Sequence, residues 1–298
     1  MRYVLITPAH NEEKTIEKTI HSVINQTVRP SMWVIVSDGS TDKTDEVIKK
    51  YAFDNRWIKF IRITKDPGRS FSAKVKAFNA GYNIAKKEDF EIIGNLDADI
   101  TFGSDYFSYL LSKFEEDPQL GVCGTPFVEN GKHYDYRFTN IEHVSGACQM
   151  FRRACFEEIG GYVPIEFGGV DWVAVTTARM KGWKTQTYKD KICFHHRRMG
   201  SSSASAYILW FRQGRKDYLF GNHPLWEILR AVYQMTKKPY VVGGCLIFLG
   251  YFSSQVFGKK IIIQDNLKKF VRKEQFDRLK NIKNTLNVKT LRALNDKR

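Results

Sequence analysis

The chain has little cysteine, and none of it is arranged for cross-linking. Cys123, Cys148, Cys155, Cys193 and Cys245 are odd in number, scattered, and contain no Cys-x-x-Cys pair. That spacing excludes a disulfide framework and a thiolate zinc site, and it points to a reducing cytoplasm. The segment MRYVLITPAHNEE reads directly into a strand, without a basic-then-apolar leader, so secretion is not expected. Internal repeats and low-complexity tracts are absent. So is an N-terminal glycine-rich phosphate loop, which a sugar-1-phosphate nucleotidylyltransferase would need.

Acidic residues are scarce at one end. From Lys259 onward 13 Lys and Arg stand against 4 Asp and Glu, a net of +9 within a chain total of +15. A basic tail meets nucleic acid or anionic lipid. Its aromatics do not alternate with basic residues in a base-stacking pattern, and no helix-turn-helix, finger or RNA-recognition signature occurs, so nucleic acid is not an expected partner. Pro239–Gly258 is charge-free and long enough to be considered as a membrane span, but Gly243-Gly244 and Ser253-Ser254-Gln255 dilute it. Lys237-Lys238 and Lys259-Lys260 make both flanks basic, which sets no orientation. Phe211, Tyr218, Phe220 and Trp226 suit an interfacial zone. The expectation is peripheral or monotopic attachment, or a re-entrant helix pair, at an anionic surface on the cytoplasmic face of the cell membrane. A buried core helix or an oligomer contact is the alternative.

What is present reads as an α/β domain. The 298 residues, 43% hydrophobic and 27% charged, can bury a sizeable core. Apolar, β-rich runs occur at 3–7, 32–36, 57–63 and 90–96. Between them lie helical periodicities, such as Ile16, Ile20, Val23 and Ile24. This alternation implies parallel strands joined by right-handed crossovers, with ligands beyond the carboxyl ends of the strands. Three polar clusters fall at those ends: Pro8-Ala9-His10-Asn11-Glu12, Ser37-Asp38-Gly39-Ser40 and Asp97-Ala98-Asp99. The expected division is an alternating strand–helix half over 1–103, a second lobe over 104–203, and a helical, aromatic and basic region over 204–298. Within the second, a helix is expected over 105–116, a strand over 121–127 and a helix from about Asp171 to Lys181.

Asp-x-Asp alone is common on surfaces. Here an apolar strand precedes it and Ile100 follows, which is poor company for carboxylates that only serve solubility. Two carboxylates around a small residue at a strand end can hold a hard divalent cation against a diphosphate. Asp38 either forms the turn or accepts a hydrogen bond from a base N–H; Thr41 or Asp42 is positioned to cap the next helix.

PAHNEEKTIEKTIHSVINQT, VSDGSTDKT, SAKVKAFNAGYNIA and NLDADI, in that order and spacing, resemble the nucleotide-sugar domain of family-2 glycosyltransferases. The resemblance is specific over 3–103, looser to about 203, and weak beyond. It implies the GT-A fold and inverting transfer from a nucleotide-sugar, with UDP the common nucleotide, to a hydroxyl of a lipid-linked or polymeric glycan. It implies a nucleoside pocket of Pro8, Ala9, His10 and Glu12, with Asp38 on the base and Lys74 near the nucleotide. Asp97 would approach ribose and metal, and Asp99 would ligate Mn²⁺ or Mg²⁺. In EFGGVDWVAVTTARMKGWKT, Asp171 matches the second acid of the acceptor-side pair and would be the base, whereas Val170 stands where the first acid belongs. Asp171 could instead cap its helix, and Glu166 could replace the missing acid. In CFHHRRMGS, His195 is the expected third metal ligand, with Arg197 or Arg198 on phosphate. Gly146 and Ala147 would let an acceptor approach the backbone. The competing readings are a polyprenyl-phosphate glycosyl synthase, whose phosphate acceptor needs no base, and an inactive membrane-surface scaffold.

Overall fold

A computed structural model describes residues 1–64, 71–129, 140–166, 168–196 and 206–295. The chain forms two compact units, Met1–Met199 and Gly200–Arg298.

The first unit opens with β1 (Tyr3–Ala9), α1 (Ile16–Ile24), β2 (Met32–Asp38), α2 (Thr44–Asp54), β3 (Ile58–Ile63), α3 (Phe71–Ala85) and β4 (Ile92–Leu96). These are the strands and crossovers expected from the apolar runs. It continues with β5 (Ile100–Phe102), α4 (Tyr106–Glu116), β6 (Leu120–Gly124), β7 (Phe127–Val128), β8 (Cys148–Arg152), α5 (Arg153–Glu158), α6 (Val170–Met180), β9 (Lys184–Thr187) and β10 (Cys193–His195).

Seven strands form the main sheet in the order β3-β2-β1-β4-β8-β6-β9. Strands β3, β2, β1 and β4 are parallel, and β8 is inserted antiparallel to both β4 and β6. Successive residues of β1 face opposite layers. Tyr3 and Leu5 pack with Ile20, Trp33 and Phe107, whereas Val4 and Ile6 pack with Val34, Phe78 and Val175. Burial on both faces is why these strands read as unbroken apolar runs. Truncating one of these side chains, Leu5→Ala for example, costs about 2–5 kcal/mol. Helix α3 lies close on β1 because Gly81 has no side chain: a Cβ there would sit 2.7 Å from Ile6 Cγ2. The chain moves from β1 to β2 and β3 on one side, then returns to place β4 on the other. This reversal opens a crevice at the carboxyl ends of β1 and β4. A second, three-stranded sheet, β5-β10-β7, brings His195 beside the same ends.

The second unit comprises α7 (Ala206–Leu219), α8 (Pro224–Met235), α9 (Val242–Val256) and α10 (Asp265–Asn295). Helix α9 packs against α7 and α8 and takes up most of the uncharged Pro239–Gly258 stretch. Among the described residues, no helix is long and apolar enough to cross a membrane.

Candidate active site

Two motifs far apart in sequence lock together at the ends of β1 and β2. Asn11 turns the chain at φ 55°, a left-handed bend that Asn tolerates better than most residues. The bend is held on both sides, because Asn11 Oδ1 accepts from Thr41 N at 2.8 Å and Asn11 N donates to Ser40 Oγ at 3.2 Å. Glu12 N donates to Thr44 Oγ1 at 2.7 Å, and Glu13 N to Asp42 Oδ2 at 3.2 Å. His10 Nδ1 lies 2.6 Å from the Asp38 carbonyl oxygen. The cap position of α2 is Lys43 rather than Thr41 or Asp42. Asp42, one residue earlier, takes the Thr44 N–H at 3.0 Å and so does the capping work from outside the helix.

At the end of β4, Asp97 N donates to Ala147 O at 2.9 Å, and Asn95 Nδ2 donates to Gly146 O at 2.7 Å. The 145–147 segment is thereby fastened to the Asp97-Ala98-Asp99 turn. Lys74, on α3, reaches across to Asp97 Oδ1 at 2.5 Å. Asp99 is buried, and its carboxylate oxygen lies 3.4 Å from His195 Nε2. Burial, then the neighbouring Asp97 charge, pushes the Asp99 carboxyl up to about 6, against the opposing pull of His195. The other imidazole nitrogen, Nδ1, is buried without a hydrogen bond and lies 3.6 Å from Glu129 Oε2. Next in sequence, His196 points elsewhere, to Thr101 Oγ1 at 2.7 Å.

Asp171 enters from the acceptor side. Gly168 and Gly169 both adopt positive φ, a conformation glycine takes without steric cost, and they start α6 at Val170. The cap position is Gly169, so Asp171 is not the cap. It sits in the first turn, where Oδ2 accepts from Gly146 N at 3.3 Å. A Cβ on Gly146 would fall 3.0 Å from Asp171 Cβ. The side chain that Gly146 admits to its backbone is that of Asp171.

These elements enclose a cavity of about 220 Å³. Its polar lining includes Lys74, Asn95, Asp97, Ser145, Asp171 and His195, and its apolar lining includes Val75, Phe78, Phe127, Tyr162 and Val170. Of the residues expected from the sequence, Lys74, Asp97, His195 and Asp171 converge here, with Asp99 against His195. Pro8, Ala9, His10, Glu12 and Asp38 stand apart from this cavity, at the neighbouring ends of β1 and β2. Glu166 does not line it, and Arg197 and Arg198 lie outside the described residues. Sequence reasoning missed Glu129, Tyr162 and Phe127. Glu129 and Phe127 belong to no spaced motif, Tyr162 closes the segment SGACQMFRRACFEEIGGY without being singled out in it, and only the fold brings the three to the crevice.

Among the described residues no three His, Cys, Asp or Glu side chains form a ready-made cage for a divalent cation. Asp99 and His195 nevertheless supply a carboxylate oxygen and an imidazole nitrogen side by side, with Asp97 one residue from Asp99. A buried carboxyl held up by burial and by a second carboxylate gains from a cation. Two or three protein ligands suit Mg²⁺ or Mn²⁺, which keep water and substrate phosphate in the remaining positions. The residues fit an open site of that kind.

Residues 4–143 match the family model for glycosyl transferase family 2. The chain is similar to the poly-beta-1,6-N-acetyl-D-glucosamine synthase of Staphylococcus aureus (strain COL), 31% identical over 137 residues, which is 46% of this chain and 31% of that protein. The match thus spans about a third of the relative's length. Among solved structures, the mannosyltransferase PcManGT from Pyrobaculum calidifontis, in complex with GDP-Man and Mn²⁺, superimposes with a TM-score of 0.58 at 16% identity, covering 87% of this chain and 88% of that one. S. aureus TarS 1-349 in complex with UDP-GlcNAc gives 0.57 at 19% identity, over 91% and 78%. At these identities the likeness establishes the fold, GT-A.

Proposed function

We propose, on the premise that this chain carries a glycosyl transferase family 2 domain over residues 4–143, that it moves a sugar from a UDP-sugar to an acceptor hydroxyl with inversion. A nucleotide-sugar donor goes with the family. The finer reading rests on one observation: Lys74, Asp97, His195 and Asp171 line one cavity near the carboxyl ends of the parallel strands, with Asp99 against His195.

The nucleoside is assigned to the shelf at the ends of β1 and β2, where Asp38 is placed to accept from a base N–H. The diphosphate lies toward Asp97 and Asp99, with Lys74 free to exchange its carboxylate partner for a phosphate oxygen. Asp99 and His195 would hold the divalent cation, with Asp97 alongside; when bound, it supplies the positive charge that stabilises the departing diphosphate. The sugar occupies the cavity, with its reacting carbon toward Asp171. Asp171 takes the proton of the acceptor hydroxyl while Gly146 N–H holds one of its oxygens in place. Val170 adds an apolar wall where a second acid would otherwise stand. The S. aureus and TarS names speak for N-acetylglucosamine in those proteins, and we extend that class of sugar, and a glycan acceptor that is polymeric or lipid-linked, to this chain. The same reading places the enzyme at a membrane surface.

The test is a nucleotide-sugar panel with Mn²⁺, scored by release of nucleoside diphosphate with and without glycan acceptors. UDP-N-acetylglucosamine is expected to turn over. Release from no nucleotide-sugar under any condition would overturn the assignment. Turnover only with a polyprenyl phosphate would move the acceptor to phosphate and relieve Asp171 of its role as base.

A further inference from the structure

The second unit buries charged groups alongside an apolar interior of Phe220, Ile247, Tyr251 and Val271, and it leaves large apolar side chains outside. On α8, Glu227 is fully buried, and its neighbour Arg230 donates to the buried Asp217 Oδ2 of α7 at 2.6 Å. Asn222 Nδ2 donates to Glu227 Oε2 at 3.4 Å, and Gln275 Nε2 of α10 donates to Asn222 Oδ1 at 2.8 Å. The outward positions of the same helix are apolar: Leu225, Ile228, Leu229, Val232 and Tyr233 fall one helical turn apart on one face. Leu229 is 45% exposed and Val232 53% exposed. In water a helix so patterned gains by turning its other face outward.

Helix α9 adds small residues to this pattern. Gly243, Gly244, Gly250 and Ser254 are buried beside Ile247 and Tyr251, while Leu249 is 54% and Val256 81% exposed. A Cβ placed on Gly244 or Gly250 would collide with the backbone carbonyl oxygen of Ala231 or Phe211, so α9 crosses α8 and α7 at backbone contact. Small residues between helices and large apolar ones outside are the arrangement of helices packed in lipid, where neighbours gain from close contact and the exterior meets hydrocarbon.

Charge decides what covers these faces. Residues 200–298 carry 19 Lys and Arg against 6 Asp and Glu, a net of +13 out of the chain's +15. Lys237 and Lys238 follow the exposed end of α8, and Lys259 and Lys260 follow α9, all four exposed. A second copy of the chain would set two such units against each other, whereas an anionic bilayer offers hydrocarbon to the apolar faces and phosphate to the lysines. From this we infer that the outward faces of α8 and α9 are a lipid-docking surface, set in the plane of one leaflet of an anionic membrane, with the flanking lysines at headgroup level. The helices are too short to span, so they lie along the leaflet. This rests on, and deepens, the membrane-surface part of the proposed function; it is independent of the transfer chemistry.

Cys245 provides the probe. It is exposed near the start of α9, and the other four cysteines are buried. The full-length protein, labelled there with bimane, is mixed with phosphatidylglycerol-containing or pure phosphatidylcholine vesicles at low and high salt. The expected result is flotation with the anionic vesicles that survives high salt, with blue-shifted bimane emission quenched by doxyl-labelled acyl chains. Leu229→Glu with Leu249→Glu replaces exposed side chains only, and should leave circular dichroism unchanged while lowering partitioning by at least about 10-fold. Flotation at low salt alone, with bimane unshifted, would overturn this inference and leave a basic tail as the membrane contact. Absence of flotation in every condition would remove the membrane reading altogether, without touching the donor assay. A blue shift without vesicles that grows with protein concentration would give the surface to a second copy and overturn the inference too.

Discussion

In the unit of residues 1–199, Leu5, Ile35 and Phe107 are inside and the reactive side chains stand at the rim of the sheet. In the unit of residues 200–298, Glu227 and Asp217 are inside and Leu229, Leu249 and Val256 face out. Net charge divides the same way, with +13 in the second unit leaving +2 for the first. Each unit is consistent with a different surrounding. The first hides apolar surface from water and gathers Asp97, Asp99 and Asp171 at one side of its sheet, where the proposed function sets a cation and a diphosphate. The second buries charged groups beside Ile247 and Tyr251 and leaves apolar side chains exposed, an arrangement that the proposed lipid docking would cover. Function in the first should therefore be separable from stability, because rim side chains carry little packing. In the second, close packing of small residues is itself the structure.

The sharpest separation is expected at Asp171. Asp171→Asn should slow transfer by roughly 10²- to 10⁴-fold, the usual range for loss of a general base, while nucleotide affinity and melting temperature stay unchanged. Steady-state rates with titration calorimetry check this, and wild-type transfer would take the proton-accepting role from Asp171. The converse is expected at Gly250. Gly250→Val puts a branched side chain into the Phe211 carbonyl and should destabilise the second unit by about 3 kcal/mol or more. Circular dichroism and limited proteolysis would read this as early loss of residues 200–298; an unchanged melt would mean that α7 and α9 are not in backbone contact.

A smaller effect belongs to Asp38. Asp38→Ala should weaken UDP binding by about 10- to 150-fold, equivalent to about 1.5–3 kcal/mol for a charge-assisted hydrogen bond, and should narrow the preference for UDP over GDP. Equal affinities in mutant and wild type would return Asp38 to turn formation alone.

A further test of the second unit is a slope. Burial, then the Asp217 carboxylate, push the Glu227 carboxyl up from 4.5 to about 8, against the opposing charge of Arg230. The folded unit then keeps a proton that the unfolded chain releases, so its stability should fall as pH rises from about 4.5 to about 8 and level off above. Glu227→Gln cannot ionise and should flatten that slope in thermal melts across the same window. An equally steep slope in the mutant would assign it to another group.

Much of the first unit was legible because its interior is apolar on both faces of a parallel sheet. Runs such as Val4-Leu5-Ile6 and Ile92-Ile93 mark strands, and polar clusters directly after them mark strand ends. Asp97 and Asp99 were readable as candidates for that reason, whereas Lys74 and Asp171, on helices α3 and α6, were readable only through the resemblance to family-2 glycosyltransferases. The antiparallel β8 and the short β5-β10-β7 sheet were not, since few-residue strands carry no periodicity of their own.

The sequence by itself determined which residues could form strands, where the chain turned polar after each, and how charge was divided along its length. These are local properties, set by side-chain chemistry and spacing. Tertiary structure alone decided which groups meet. It set Glu129 beside His195, 66 positions away in the chain, and put the Asp171 side chain into the space left by Gly146. It also decided which face of α8 and α9 is covered. A composition shows that a helix has an apolar side and a polar or small-residue side. Which side is buried depends on the neighbours, because burial energy belongs to the pair of surfaces in contact and not to either segment alone.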